Sequence, residues 1–168
     1  ALTKLPFDPQ TLPDLIDRGY IICQSHPSLP LKIYNYTAKV QYERYWQEAT
    51  LCCRGLVLDE SYNPIARPLP KFFNLSEHQG NLPDGVPKIY EKLDGSLIIL
   101  FHYQGQWEVA SRGSFASEQA QMARVLLANY AESLAGLDCE YTYLFEVIYP
   151  GGATSQTPPS DLVISIKN

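Results

Sequence analysis

The chain has 168 residues, 45% of them hydrophobic and 18% charged, and a formal net charge of −5. That apolar content can bury a real core, which excludes a disordered chain and predicts one soluble domain over residues 1–168. The acidic balance argues against a broad basic face, so any nucleic-acid contact must be local. No run approaches the roughly eighteen apolar residues that span a bilayer. The N-terminus lacks the basic start and apolar core of a signal peptide, and a cytoplasmic protein is expected.

In chain order, Leu12 to Tyr20 reads as a short amphipathic helix with Pro13 tolerated in its first turn. Leu31 to Val40 carries tyrosine-rich strand signals, with Tyr34 and Tyr36 on one face. Tyr42 to Thr50 is a polar, aromatic stretch that suits a helix feeding the next strand. Cys53 to Asp59 and Arg67 to Asn74 each attach a cation, Arg54 and Lys71, to an apolar, strand-like segment. Proline punctuation at Pro64 to Pro70 and Pro83 to Pro87 marks loops. Val86 to Glu91 and Leu97 to Phe101 are rich in β-branched, aromatic and aliphatic residues and predict two strands. Between them stands Lys92-Leu93-Asp94-Gly95-Ser96, in which Asp94-Gly95 is a turn signal. Ser111-Arg112-Gly113-Ser114 follows. A long helix is then predicted from Ser117 to Leu134. Ser117 can cap it, Met122, Val125, Leu126 and Leu134 recur at helical spacing, and Gly136 suits the C-terminal cap. Tyr143 to Val147 is an apolar strand that contains Glu146. Gly151 to Ser160 reads as a flexible loop or linker, and Asp161 to Lys167 as one more strand. The sum is an α+β fold, built mainly on antiparallel sheet with a few flanking helices.

Four cations, Arg54, Lys71, Lys92 and Arg112, each lie within three residues of a glycine or an aromatic residue, and Glu146 sits inside an apolar strand. Strand-borne charges facing a core are costly unless paired, so convergent cations point to a polyanion such as a nucleoside triphosphate. Each charge also has an ordinary reading, on the solvent face of a half-buried strand. Lys92 likewise has one, as a solvated side chain before a hairpin turn. Tyr34 and Tyr36 have theirs as one face of a strand. The four cysteines, Cys23, Cys52, Cys53 and Cys139, show no Cys-x-x-Cys spacing and are expected to be buried free thiols. His26, His78 and His102 pair with no motif and receive no role.

The motifs gain meaning from their order. Tyr34-Asn35-Tyr36, Cys53-Arg54-Gly55, Arg67-Pro68 with Lys71-Phe72-Phe73-Asn74, Lys92-x-Asp94-Gly95, Ser111-Arg112-Gly113-Ser114 and Phe145-Glu146 together closely resemble the phage-type RNA ligase 1 family. The resemblance runs from about Tyr34 to about Pro150. It implies an adenylyltransferase domain of an ATP-dependent RNA ligase, with Mg²⁺ as metal and the 5′-phosphate and 3′-hydroxyl ends of RNA as partners. Lys92 occupies the position of the family lysine that attacks the α-phosphate of ATP. Tyr34, Arg54 and Lys71 match residues that contact ATP, Phe73 one near the adenine, and Glu146 one that helps hold the ribose. Asp94 and Gly95 complete the motif in the cofactor-binding set. Arg112 stands where the phage enzyme has lysine, so the charge is kept as a planar fork.

Chemistry supports those residue types. An amine with an ordinary pKa of about 10.4 must lose its proton to attack, which neighbouring cations and desolvation favour. The same cations would stabilise departing pyrophosphate. The later family motifs, a glutamate-glycine segment that helps bind metal and a lysine pair on the α-phosphate, are missing, so weak or absent adenylation is expected. The chain then reads as part of a longer ligase, a truncated product, or a non-catalytic nucleotide- or RNA-binding module. DNA ligases and capping enzymes fit Lys71-Phe72-Phe73-Asn74 poorly. A monomer is expected, for want of any association motif.

Overall fold

The computed structural model describes residues 4–78, 80, 82, 84–90 and 94–148, together with the backbone of 161–164. The first sheet has the order β1 (Ile21–Ser25), β2 (Leu31–Tyr36), β3 (Arg54–Asp59), β4 (Pro64–Ala66). The second has β6 (Gln106–Ser111), β5 (Ser96–Tyr103), β7 (Tyr143–Ile148), β8 (Asp161–Ile164), and every pairing in both sheets is antiparallel. Five short helices flank them among the described residues: α1 (Leu12–Asp17), α2 (Ala38–Glu43), α3 (Glu48–Cys52), α4 (Glu118–Ala128) and α5 (Ala131–Ala135). The expected α+β class, mainly antiparallel, is what the chain adopts. Among the described residues no helix is long and apolar enough to cross a membrane.

The two sheets share a core. Leu31, Ile33, Val57 and Ala66 of the first pack with Ile99, Phe101, Ala110 and Leu144 of the second. On the far side of the second sheet, Ile98, Leu100, Phe145 and Val147 meet Ala123 and Leu127 of α4. β5 is thus covered on both faces, which explains why Ile98 to Phe101 is a continuous apolar run rather than an alternating one. On the far side of the first sheet, Tyr34, Tyr36, Leu56 and Leu58 pack with Leu12, Leu15, Val40 and Ala49. Removing a fully buried side chain such as Ile99 should cost about 2–5 kcal/mol.

Several expected elements take a different form. The strand begun at Leu31 ends at Tyr36, and Ala38 to Val40 start α2 instead. The stretch Tyr42 to Thr50 holds the end of α2 and the start of α3, separated by a left-handed turn at Arg44 (φ 54°). Residues 67–74 form no strand beyond Ala66. Val86 to Tyr90 is not a strand, and Val86 and Ile89 are more than nine-tenths exposed. β-propensity alone could not hold this segment straight without a partner strand.

The long helix from Ser117 to Leu134 is two helices, broken at Asn129 and Tyr130. Ser117 does cap α4, its side chain accepting from the Ala120 N–H at 3.1 Å. The buried face, however, is Ala120, Ala123 and Leu127, whereas Val125 is 71% exposed. Small side chains let α4 lie close against the sheet. Gly136 does end α5, but with right-handed backbone. Among the cysteines only Cys53 is buried, Cys23 and Cys52 are half-buried and Cys139 is exposed, all as free thiols. The expected loop at Gly151 to Ser160 lies outside the described residues, while Asp161–Ile164 does pair with β7.

His26 sits in the β1–β2 connection with its side chain 8% exposed. Its Nδ1 accepts from the Ser28 and Leu29 N–H groups at 3.1 and 3.0 Å. Nε2, buried and without a hydrogen-bond partner among the described residues, lies 3.8 Å from Glu108 Oε2. Burial holds the imidazole pKa below its ordinary value, Glu108 opposes this and Arg124 adds to it. A depressed folded-state pKa means that the unfolded chain binds the proton first, so stability is fully present above the ordinary value of about 6.5 and falls as pH drops below it. The expected result is a urea midpoint that declines between about pH 7 and pH 5, less steeply in His26→Gln. Equal slopes in the two proteins would remove His26 from the account.

Candidate active site

Five chain segments, at Arg54, Leu69 to Phe72, Gly95 to Leu97, Ser111 to Gln119 and Leu144 to Glu146, line a cavity of about 590 Å³. Its walls include Arg54 and Phe72, Gly95, Arg112 and Gln119, and Glu146. Such a volume suits a nucleotide-sized ligand. Two guanidiniums and one carboxylate converge there, which provides anion binding at one part of the cavity and a hydrogen-bond acceptor at another.

Each side chain is brought there by a local device. Arg54 opens β3 directly after α3, whose start is fixed by Thr50. The fully buried Thr50 hydroxyl accepts the Gln47 N–H at 2.9 Å and donates to the Tyr45 carbonyl at 2.9 Å. The Arg54 guanidinium then lies over the Phe72 ring at 5.2 Å. Arg112 occupies a tight turn in which the Ser111 N–H donates to the Ser114 carbonyl at 3.0 Å. Ser111 Oγ accepts from the α4 cap Ser117 at 2.7 Å. The serines of Ser-Arg-Gly-Ser thus close the turn and leave Arg112 exposed, 5.4 Å from the Tyr36 ring centroid. Glu146 is half-buried on β7, opposite Leu97 of β5.

Gly95 precedes β5 so closely to β7 that a Cβ there would lie 2.2 Å from the Val147 carbonyl oxygen and 3.1 Å from Glu146 Cγ. Asp94 is exposed beside it. Lys92, the expected nucleophile, lies outside the described residues. Of the remaining expected residues, Lys71 and Phe73 line a second cavity, with Trp46 and Arg44. Tyr34 is 4% exposed and borders a third, with Leu31, Asp59 and Tyr62. Burial raises the Tyr34 hydroxyl pKa above its ordinary value, so it stays protonated. Arg54, Gly95, Arg112 and Glu146 thus line one cavity, Lys71 and Phe73 another beside it, and Tyr34 a third.

Asn35 escaped sequence reasoning although it stands inside a quoted motif. It faces the second sheet just after a register shift between β2 and β3. Its side chain donates to the Arg112 carbonyl at 2.9 Å and accepts the buried Gly55 N–H at 2.9 Å. One buried amide thus joins the residue after Arg54 to the backbone of Arg112 and sets the spacing of the two cations. Asn35→Ala leaves both backbone groups without this partner. The expected cost is about 2 kcal/mol of stability, with weaker nucleotide binding. Urea unfolding and ATP titration of the variant check it, and unchanged values in both would show that the bridge is dispensable.

A family model described as RNA ligase matches residues 52–154. A protein named as a bifunctional polynucleotide kinase/RNA ligase, from Autographa californica nuclear polyhedrosis virus, is 30% identical over 152 residues, covering 70% of this chain and 22% of that protein. An RNA ligase of Rhodothermus phage RM378 is 20% identical over 186 aligned positions, covering 84% of this chain and 41% of that one. The chain thus spans less than half the length of either relative. With most of its length inside the matched region, this chain belongs to the RNA ligase family.

Proposed function

We propose that the chain carries the nucleotide-charging step of an ATP-dependent RNA ligase, with Lys92 as nucleophile and the cavity of Arg54, Gly95, Arg112 and Glu146 as the ATP site. The convergence of two arginines and one glutamate from separate strands and turns in one nucleotide-sized cavity is the observation that carries this reading. ATP is consumed as a substrate and supplies the adenylyl group. Lys92 Nζ, having lost a proton, forms a bond to the α-phosphorus as the bond from that phosphorus to the bridging oxygen breaks and pyrophosphate leaves. Arg54 and Arg112 offset the charge on the phosphates and favour the neutral amine. Glu146 accepts from the ribose, and Asp94-Gly95 holds the turn that follows the lysine. The adenylate then passes to a 5′-phosphate RNA end, and a 3′-hydroxyl displaces AMP to form the phosphodiester. In this reading Tyr34 and Lys71, which line neighbouring cavities, contact the ATP, and Phe73 lies near its adenine.

Among the described residues no cluster of three or more His, Cys, Asp or Glu side chains is placed to hold a metal ion. Magnesium in this proposal therefore arrives on the ATP phosphates, where it usually keeps several waters. A monomer working in the cytoplasm completes the reading. Incubation of the chain with Mg²⁺ and α-labelled ATP, read by intact mass and by label retained after denaturation, tests it. A weak covalent adenylate is the expected result, because the later family motifs are missing, and label that chases onto 5′-phosphorylated RNA would carry the reading through to the ligation steps. ATP binding without an adduct would favour the second reading, a non-catalytic nucleotide-binding module.

A further inference from the structure

We propose that Phe72 is a positioning residue for the charging step: its exposed ring holds the Arg54 guanidinium at the wall of the ATP cavity without neutralising it. Arg54 Cζ lies over the Phe72 ring, 5.2 Å from its centroid, and both side chains line the cavity. The consequence for ATP rests on the ATP-site reading, whereas the hold on Arg54 rests on the geometry.

Phe72 is 63% exposed and packs in no apolar core cluster among the described residues, so its ring adds little to folding. Its position is nevertheless fixed through the backbone. Pro70 has a restricted φ, and the Lys71 N–H donates to the Leu51 carbonyl of α3 at 2.8 Å. Arg54 is also fixed, but only as far as its backbone. The next residue, Gly55, donates its N–H to Asn35 Oδ1 at 2.9 Å, while the long side chain of Arg54 keeps rotamer freedom that must be lost when it meets a phosphate. Two restraints limit that freedom. One is a long hydrogen bond from Nη1 to the Leu69 carbonyl at 3.4 Å, and the other is the Phe72 ring. Among the described residues no carboxylate forms an ion pair with Arg54.

A ring holds a cation differently from a carboxylate. A carboxylate would cancel much of the field that attracts phosphates, whereas the quadrupole of a phenyl face restrains the guanidinium and leaves its charge and free N–H donors to a triphosphate. The cavity repeats this arrangement. Arg112 comes from a different segment and stands 5.4 Å from the Tyr36 ring centroid, again with no carboxylate in an ion pair among the described residues. Both guanidiniums of the site are thus carried on rings. Tyr36 is 8% exposed and belongs to the core, so Phe72 is the ring whose effect on a cation can be tested without disturbing the fold.

Inorganic tripolyphosphate is the deciding probe, because it offers the anion without a base on which Phe72 could stack. Its affinity for the full chain, measured by calorimetry, is expected to fall about fivefold in Phe72→Leu and to return in Phe72→Tyr, with the urea midpoint unchanged in both. In an Arg54→Ala background, Phe72→Leu should bring no further loss, since the ring acts through the guanidinium. NMR of the labelled arginine side chains in the ligand-free protein reads the placement itself. The Arg54 Hε resonance, assigned by its disappearance in Arg54→Ala, should be shifted upfield by the ring in the unaltered chain and in Phe72→Tyr, and released in Phe72→Leu. An unshifted resonance, equal tripolyphosphate affinity in Phe72→Leu, a further loss in the Arg54→Ala background, or a urea midpoint that falls together with affinity would overturn the inference. So would a loss of ATP affinity while tripolyphosphate affinity holds, which would make the ring a platform for the base. The adduct assay, run on the same proteins, separates the two claims. The expected resonance and tripolyphosphate losses without an adduct sustain Phe72 while the charging reading falls. Equal adduct formation and equal affinities in Phe72→Leu remove Phe72 alone, and a chain that binds neither tripolyphosphate nor ATP removes both.

Discussion

Lys92→Ala is expected to leave no detectable lysyl-adenylate, a loss of at least about a thousandfold, because a P–N bond has no other amine in the Lys-x-Asp-Gly turn on which to form. Lys92→Arg is the sharper variant. It keeps the positive charge, so electrostatic attraction of the triphosphate survives, but a guanidinium stays protonated and offers no lone pair. Both variants should still bind ATP, since Arg54, Arg112 and Glu146 line the cavity. The checks are intact mass for the adduct and equilibrium dialysis for ATP. An adduct that persists in Lys92→Arg would move the nucleophile elsewhere and end the proposed mechanism.

Gly95→Ala is expected to lower stability by about 3 kcal/mol and to reduce adenylation at least tenfold. The added Cβ would stand 2.2 Å from the Val147 carbonyl oxygen and 3.0 Å from its carbon. Both are backbone atoms at the first rung of the β5–β7 pairing, where Ser96 faces Val147, and no side-chain rotation can relieve them. Either the rung opens or the turn before it shifts, and the turn is where Asp94 and the proposed nucleophile belong. Glu146, with Cγ 3.1 Å from the same point, would be displaced together with it. Gly113→Ala is the matched control from the other glycine motif. Among the described residues no heavy atom lies within 4 Å of its Cβ position, so its stability should change by less than about 0.5 kcal/mol. Urea unfolding of the two variants decides the matter, and equal midpoints would show that β7 yields more readily than its backbone geometry implies.

Local chemistry made much of this legible. Asp94-Gly95 before an apolar run does mark the start of β5, and Ser117 does cap α4, because turns and caps depend on residues a few positions apart. The class of fold followed from strand-like runs and a few helical patterns. Where reading failed, the deciding interaction was distant. Val86 to Tyr90 has strand composition but no paired strand, so it forms no strand and stays exposed. α4 turned its alanines inward, because a helix laid close on β5 and β6 needs small residues at the contact, a preference that hydrophobic periodicity does not record.

The candidate site divides along the same line. By itself the sequence determined the family, through the order of its motifs, and named Lys92, Arg54, Arg112 and Glu146 as chemically apt. Only the tertiary structure decided that Arg54, Gly95, Arg112 and Glu146 share a cavity while Lys71 and Phe73 belong to the next one with Arg44 and Trp46. It also gave Asn35 its task, a bridge between β3 and the turn after β6 that no spacing announces. The reason is physical: a motif encodes which groups a reaction needs, but which of them meet depends on the register shift after Tyr34 and on how two sheets pack across Ile33, Val57, Ile99 and Phe101.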